Sequence, residues 1–351
     1  MSGLTPGRRI TLEAVARAAG VSLSTVDRLL NARAPVRSDT AERVREAAER
    51  LGFRASGVIE QRTRGQRPRR TLGFLLLFPG SSFYRALGRE LEAAVEAEPS
   101  IRGQARIEYM EDLSAESVAA RMLALGAGVD ALAVVAADHP RIGEAVEQLH
   151  ERGVPVFALL SDLSTPLRAG FAGPDSRRIG RSAAWFITRL AREPGRVAIF
   201  VGTHRFQCQE LAEMSFRSFV REHAPRFEVL EPMMTLDSPA LAAEGMHALL
   251  RRHPDLRGFY VDGGGIEGVL AALREARRDD PDLVLPVGVA HDLTAQTRAG
   301  LMGGELQAVL SIPRPLLASR LVRRMAEATE GIGATPTSLV VPIETWTPES
   351  L

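Results

Sequence analysis

Along the first 55 residues, apolar positions recur three and four apart in three short runs. In "TLEAVARAAG", Leu12, Val15, Ala16 and Ala19 share one stripe. That spacing predicts a helix, with Thr11 placed to cap it and Gly20 to break it. In "VSLSTVDRLLN", residues 21–31, Leu23, Val26 and Leu30 form the stripe, while Ser24, Thr25, Asp27 and Arg28 lie off it and Ser22 stands at the cap. A third helix is expected from Ser38 through "DTAERVREAAERLGF", with Val44, Ala48 and Leu51 facing inward and Gly52 as its stop. Two helices joined by a turn at Gly20 and braced by a third describe a helix-turn-helix.

From Thr71 the period changes. Strand-like runs, "TLGFLLLF", "ALAVVAA", "PVFALLS", "RVAIFVG", "GFYVDGG", "VLPVGVA" and "LQAVLS", alternate with helical stretches. This is the βαβ pattern of α/β folds with parallel sheets covered by helices, and the number of runs predicts two lobes, each an open sheet. Ligands of such folds sit beyond the carboxyl ends of the strands, which places a site between the lobes. Between the two regions lies "SGVIEQRTRGQRPRR", residues 56–70, polar and Arg-rich, and expected to act as a flexible linker.

Charge sharpens this division. The chain has no lysine, and residues 1–70 hold 15 Arg against 7 Asp and Glu, whereas the remainder holds 29 against 36. A head of +8 on a body of −7 points the head toward a polyanion. The single cysteine, Cys208, excludes an internal disulfide and a CxxC zinc site and fits a reducing compartment. "TLGFLLLF" is too short to span a bilayer and no segment resembles a signal peptide, so a soluble cytoplasmic protein without a membrane partner is expected.

"TLEAVARAAGVSLSTVDRLLN" followed by "VRSDTAERVREAAERLGF" resembles the DNA-binding headpiece of the lac-repressor (LacI) family of bacterial transcription regulators. The resemblance implies that Leu23, Ser24 and Arg28 read bases, and that Thr11, Ser22, Thr25 and Asn31 hold phosphates or the turn. Asp27 departs from the usual serine. Beside phosphates a carboxylate needs compensation, from a cytosine N4 amine in the major groove or from Arg28 or Arg33, so Asp27 is expected to help select the operator. Arg62 stands where the family carries an apolar wedge, and Ala55 replaces a customary proline. Arg62 is therefore expected to enter a narrow minor groove or simply to touch phosphates.

The body resembles the periplasmic-binding-protein-like sensor domain of the same family, on "FYRALGRELEAAV", "GVDALAVV", "GVPVFALLSD", "GPDSRRIGRSAA" and "LVVPIETWTPESL". The likeness implies a headpiece over residues 1–55, a hinge over 56–70 and an effector-binding and dimerisation domain over 71–351. Its N-lobe would take about 71–171 and 311–337, and its C-lobe about 172–310 and 338–351. The absence of a leucine heptad tail leads to the expectation of a homodimer.

Strand-end loops offer Phe83, Tyr84, Asp138, Ser161, Asp162 and Asp175 for effector binding, and further along His204, Arg205, Asp262, Gly263, His291 and Asp292. Sugar-sensing relatives carry an arginine, an Asn-Asp pair and an aspartate where this chain has Ala212, Gly263-Gly264-Gly265 and Ala290. A simple pentose or hexose is thereby disfavoured, leaving a sugar derivative, a polyol, an anion or another small molecule. "DGGGIEG" lacks the spacing of a phosphate-binding loop and is expected to mark a close backbone approach to ligand. No catalytic residue, metal site or cofactor is assigned. The function expected is a repressor-type transcriptional regulator that binds double-stranded operator DNA under effector control. A cleft enzyme or a solute receptor fused to a helix-turn-helix is the alternative.

Overall fold

The computed structural model describes the chain apart from residues 1–9, 32–35, 54, 57, 60–66 and 332–335 and the side chains of residues 38–39. One compact unit runs to Arg70 and takes in Glu96–Gln104, and the other holds Thr71–Val95 and Ala105–Leu351.

In the first unit, helices α1 (Leu12–Ala19), α2 (Leu23–Asn31) and α3 (Ser38–Leu51) enclose a small core of Val15, Ala16, Val26, Leu29, Val44 and Ala48, among others. Gly20 makes the turn in the left-handed region (φ 66°), where its N–H caps α1 by bonding back to Ala16 and Arg17. The inward stripe of α2 differs from the expected one. Val26 and Leu29 are buried and Leu30 packs beside them, whereas Leu23 is 44% exposed. Leu23 sits in the first turn, ahead of the point where α2 meets α1 and α3, so its side chain joins the polar face. The head also extends past residue 55: Ile59 is fully buried in the same core, its N–H bonded to Ala55 O at 3.2 Å. Arg67, within the expected hinge, pairs with Glu42 of α3 at 3.4 Å. Arg33 and Arg62 lie outside the described residues.

The first sheet, which belongs mainly to the second unit, comprises β1 (Arg69–Leu77), β2 (Arg102–Met110), β3 (Ala131–Val134), β4 (Val156–Leu159), β5 (Gly170–Pro174) and β12 (Thr337–Val341), in the order β12-β5-β4-β3-β1-β2. The second comprises β6 (Arg196–Val201), β7 (Glu228–Val229), β8 (Met233–Met234), β9 (Leu256–Asp262), β10 (Val287–His291), β11 (Ala308–Ser311) and β13 (Glu344–Trp346). Its order is β13-β11-β10-β9-β6-β7, with β8 also on β6, and only β13 is shown to pair antiparallel. Apolar cores on both faces of the second sheet explain its continuous hydrophobic strands.

The chain crosses between the sheets after β5, after β11 and after β12. All of β5 and all of β12 belong to the first sheet, paired in parallel from Thr337–Gly170 to Val341–Pro174. The crossings thus fall near 174–176 and 341–344, not at the expected 171/172 and 337/338. The alternating edge strand β2 and the Gly-containing β5 were not among the expected runs, because neither is a continuous apolar block. Among the described residues no helix is long and apolar enough to cross a membrane.

Candidate functional site

Two surfaces carry the chemistry that the sequence singles out. The first is the exposed face of α2. Ser22 Oγ accepts from Thr25 N at 3.3 Å and lies 2.8 Å from Ser24 Oγ and 2.9 Å from Thr25 Oγ1, so the cap and the first turn share one hydroxyl cluster. Arg28 folds back along the helix, Nε donating to Ser24 O and Nη2 to Thr25 Oγ1, each at 3.3 Å. Asn31 Nδ2 donates to Asp27 Oδ1 at 2.7 Å, one turn away. Asp27 thus meets the side-chain amide of Asn31. Thr11 Oγ1 caps α1 by accepting from Ala14 N at 3.3 Å. Ser22, Leu23, Ser24, Arg28 and Asn31 are exposed, and Thr25 and Asp27 are half-buried. The face is apolar at one end, hydroxylic in the middle and charged along one side.

The second surface is a cavity of about 640 Å³ between the two sheets of the body, at the carboxyl ends of their strands. Helix α4 (Ser82–Ala97) supplies Phe83 and Tyr84, whose rings meet edge to face at 5.1 Å. Opposite them, Asp262 at the end of β9, His291 at the end of β10, Asp292 just after it and Asp237 in the loop after β8 come together. Asp237 and Asp292 occupy the left-handed backbone region (φ 56° and 62°), uncommon for a residue with a side chain though aspartate tolerates it best. Each is locked there: Asp292 N donates to Leu310 O at 2.7 Å, and Asp237 Oδ1 accepts from Gly264 N at 2.6 Å.

Charges in this group act on one another. His291 Nδ1 is 3.2 Å from Asp262 Oδ1. Burial opposes an imidazolium, but Asp292 and Asp262 outweigh it and raise His291 to about 9, so the ring is protonated at neutral pH. Burial pushes Asp237 above the usual carboxylate range, helped by Asp262 and opposed by the Gly264 N–H. Burial also raises Asp292, against His291, the Ile312 N–H and Arg314. Cys208 is pushed up to about 12 by burial and by Asp262, which leaves it a neutral thiol. His291 Nε2 and Asp262 Oδ2 are buried without a hydrogen-bond partner. Behind them burial, and then the nearby Asp262 carboxylate, hold the Tyr260 hydroxyl well above its ordinary pKa, yet it makes no well-formed hydrogen bond.

Of the twelve effector residues expected from sequence, Phe83, Tyr84, Asp262, Gly263, His291 and Asp292 line the cavity. The other six hold the protein's own structure. Asp138 accepts from Ser164, Asp162 takes a bidentate grip from Arg168 (2.6 and 2.9 Å), and Asp175 caps the helix Ser176–Leu190. His204 is bound to Glu213, Ser161 Oγ accepts from Cys208 N at 3.4 Å, and Arg205 O accepts from Asp138 N at 3.2 Å. The last two bonds join the lobes. Asp237, Cys208 and Gln209 line the cavity and were missed. Asp237 lies in "MMTLDSP", which shows no strand-length apolar run to mark a strand end. The glycine run also takes on another meaning. A Cβ on Gly264 would stand 2.7 Å from Asp237 Oδ1 and 2.8 Å from its Cβ, so the close approach is to that aspartate.

Residues 72–332 match the family model described as the periplasmic binding protein domain, and residues 11–56 match that of the bacterial regulatory proteins, lacI family. The chain is similar to the HTH-type transcriptional regulator MalR of Streptomyces coelicolor, 28% identical over 55% of this chain and 54% of the relative. It is also similar to the maltose regulon regulatory protein MalI of Escherichia coli, 31% identical over 44% and 43%. The matched region thus spans about half the length of these relatives. Among solved structures, a solute binding protein of an ABC transporter from Agrobacterium vitis, bound with alpha-D-tagatopyranose, superposes with TM-score 0.72 at 17% identity, covering 80% of this chain and 95% of the other. The glucose-galactose binding protein GanP from Geobacillus stearothermophilus gives 0.69 at 18%, covering 80% and 99%. At these identities the likeness establishes the fold.

Proposed function

Because the chain belongs to the periplasmic binding protein domain family and carries the helix-turn-helix of the lacI-family regulatory proteins, we propose that it is a cytoplasmic transcriptional regulator whose grip on operator DNA is set by a small molecule held between the lobes of its body. The observation that carries this reading is the pairing, in one chain, of an exposed α2 face with an enclosed, chemically equipped cleft. α2 is nine residues long, and its buried side is anchored by Val26 and Leu29. The opposite side, from Leu23 to Arg28, has the size and chemistry to enter a major groove and meet base edges. Arg28 is the guanine-reading candidate, the Ser22 and Thr25 hydroxyls are phosphate-positioning candidates, and Arg62 is proposed for the minor groove.

The protein acts as a homodimer on a pseudo-palindromic site, because one short helix reads only a few base pairs. The effector changes the angle between the lobes, and the bonds of Ser161 to Cys208 and of Asp138 to Arg205 are among the contacts that such a change must break or keep. In the cleft the lone thiol is held neutral and His291 is held protonated, so at neutral pH neither is a ready nucleophile or base.

The test is selection of duplexes from a random library by the full-length protein, followed by a salt titration of the enriched site. A shared sequence with affinity falling steeply as salt rises supports the reading. Retention of no sequence above competitor DNA overturns it.

A further inference from the structure

Resting on the reading of the cleft as the effector site, we propose that the effector is a cation: a small hydroxylated amine whose protonated nitrogen donates to Asp262 Oδ2 among Asp237, Asp262 and Asp292, while a neighbouring hydroxyl accepts from His291 Nε2.

The first support is an imbalance of charge. Of the titrating groups on the cavity wall, Asp237, Asp262, Asp292, Glu111 and Glu267 are acidic, and only His291 and Arg85 are basic. Glu111, Glu267 and Arg85 are exposed, so water screens them. Deeper in, three aspartates face one imidazolium. Arg314 adds a charge from beside the Phe83 ring, 5.8 Å from its centroid, and acts on Asp292. Asp262 meets His291, and Asp292 is acted on by both His291 and Arg314, so the excess lies at Asp237.

The second support is independent of the first. Asp262 is 5% exposed; its Oδ1 meets His291, and its Oδ2 makes no well-formed hydrogen bond, not even with the nearby Tyr260 hydroxyl. A buried carboxylate oxygen without a donor is costly, and a ligand that brings a donor removes that cost. His291 Nε2 asks for the reverse, an acceptor. The ligand must therefore present a donor and an acceptor side by side, which an amine next to a hydroxyl does.

Charge decides among ligands that meet this pattern. An anion next to Asp262 meets like charge in a poorly screened site and is excluded. A neutral polyol fills the hydrogen bonds but leaves the excess charge. A protonated amine fills the same bonds and neutralises it, and its hydrogen bond to a carboxylate is of the stronger, charge-assisted kind. Ala212 lines the cavity and brings no charge of its own to this wall.

The experiment compares three compounds on one carbon skeleton, 1-amino-1-deoxysorbitol, sorbitol and gluconate, together with the five-carbon set, against the full-length protein by thermal shift and calorimetry. The amines are expected to bind at least about tenfold tighter than the alcohols, and the acids not to bind. Asp262→Asn is expected to erase that preference, and Asp237→Asn on a different loop serves the same purpose if the first variant does not fold. Alcohols binding as tightly as amines, or acids binding best, overturns the cationic proposal and leaves the cleft as an effector site. No shift with any of the compounds also overturns it, while duplex selection decides separately whether the chain is a regulator.

Discussion

His291 and Asp262 face each other at 3.2 Å from neighbouring parallel strands, one residue beyond the register pair Ala290–Val261. The sheet itself therefore sets the contact, and the imidazolium is raised to about 9 from 6.5. A raised histidine contributes stability that is complete below pH about 6.5 and is lost as pH climbs through about 9. A shift of this size corresponds to a contribution on the order of 3 kcal/mol. Urea unfolding of the wild type should show stability falling across that window, and His291→Gln should remove most of the slope. An unchanged slope in the variant would place the titrating group elsewhere.

Leu29→Ala and Leu23→Ala should behave oppositely although the residues sit on the same short helix. Leu29 is 1% exposed in the head core, so its truncation should cost roughly 2–5 kcal/mol and unfold the head at moderate temperature. Leu23 is 44% exposed, and its truncation should leave the head folded, costing under about 0.5 kcal/mol, while weakening binding to the selected duplex. Amide exchange in α1 and α3 beside duplex binding separates the two outcomes.

The same pair of leucines marks how far the sequence could be read. Helical periodicity located all three head helices, and apolar runs located the central strands, because burial on one or both faces writes itself into composition. Periodicity could not decide which of the four apolar residues of a nine-residue helix points inward, since that depends on where its neighbours lie. In the cleft, residues at the ends of the recognisable strands β9 and β10 were legible, and Asp262, His291 and Asp292 do meet there. Asp237 was not, because the two-residue strand β8 leaves no pattern. Asp138, Asp162 and Asp175 follow strands as well, but are consumed by a loop, an ion pair and a helix cap, and nothing in a linear pattern separates such aspartates from ligand-facing ones.

Gly264 and Asp237 should be energetically coupled. A Cβ at residue 264 would fall 2.7 Å from Asp237 Oδ1, 2.8 Å from its Cβ and 3.1 Å from its Cα, so more than a side-chain tip must move. Gly264→Ala is expected to cost about 1–3 kcal/mol. In an Asp237→Ala background the same change should cost less, because part of the obstruction is gone. A double-mutant cycle on chemical unfolding measures the difference, and strict additivity would contradict the contact.

Asp27→Ser should change sequence preference more than overall affinity for DNA. In the free protein Asn31 Nδ2 donates to Asp27 Oδ1 at 2.7 Å, so the substitution releases an amide at the same time as it removes a carboxylate. Both groups lie within one turn of Arg28, and a base contact of this kind discriminates by about 1–3 kcal/mol. Parallel duplex selections with wild type and Asp27→Ser should enrich sites that differ at one or two positions in each half-site. Identical sites from the two proteins would remove Asp27 and Asn31 from recognition.

Cys208 offers a direct probe of the cleft, because it is the chain's single cysteine and any alkylation signal is its own. Burial is the larger cause of its raised pKa and Asp262 the next, together holding the thiol at about 12. Only the thiolate reacts, so at pH about 8 iodoacetamide should label the native protein roughly a thousandfold more slowly than a free cysteine. Denaturant should restore the ordinary rate. The backbone N–H of Cys208 also donates to Ser161 Oγ of the opposite lobe at 3.4 Å. Ser161→Ala removes that link, and if the bond helps hold the lobes together, labelling should accelerate while the melting temperature changes little. Native Cys208 reacting at the free-thiol rate would mean that the lobes stand open and that the charge cluster beside it is solvated.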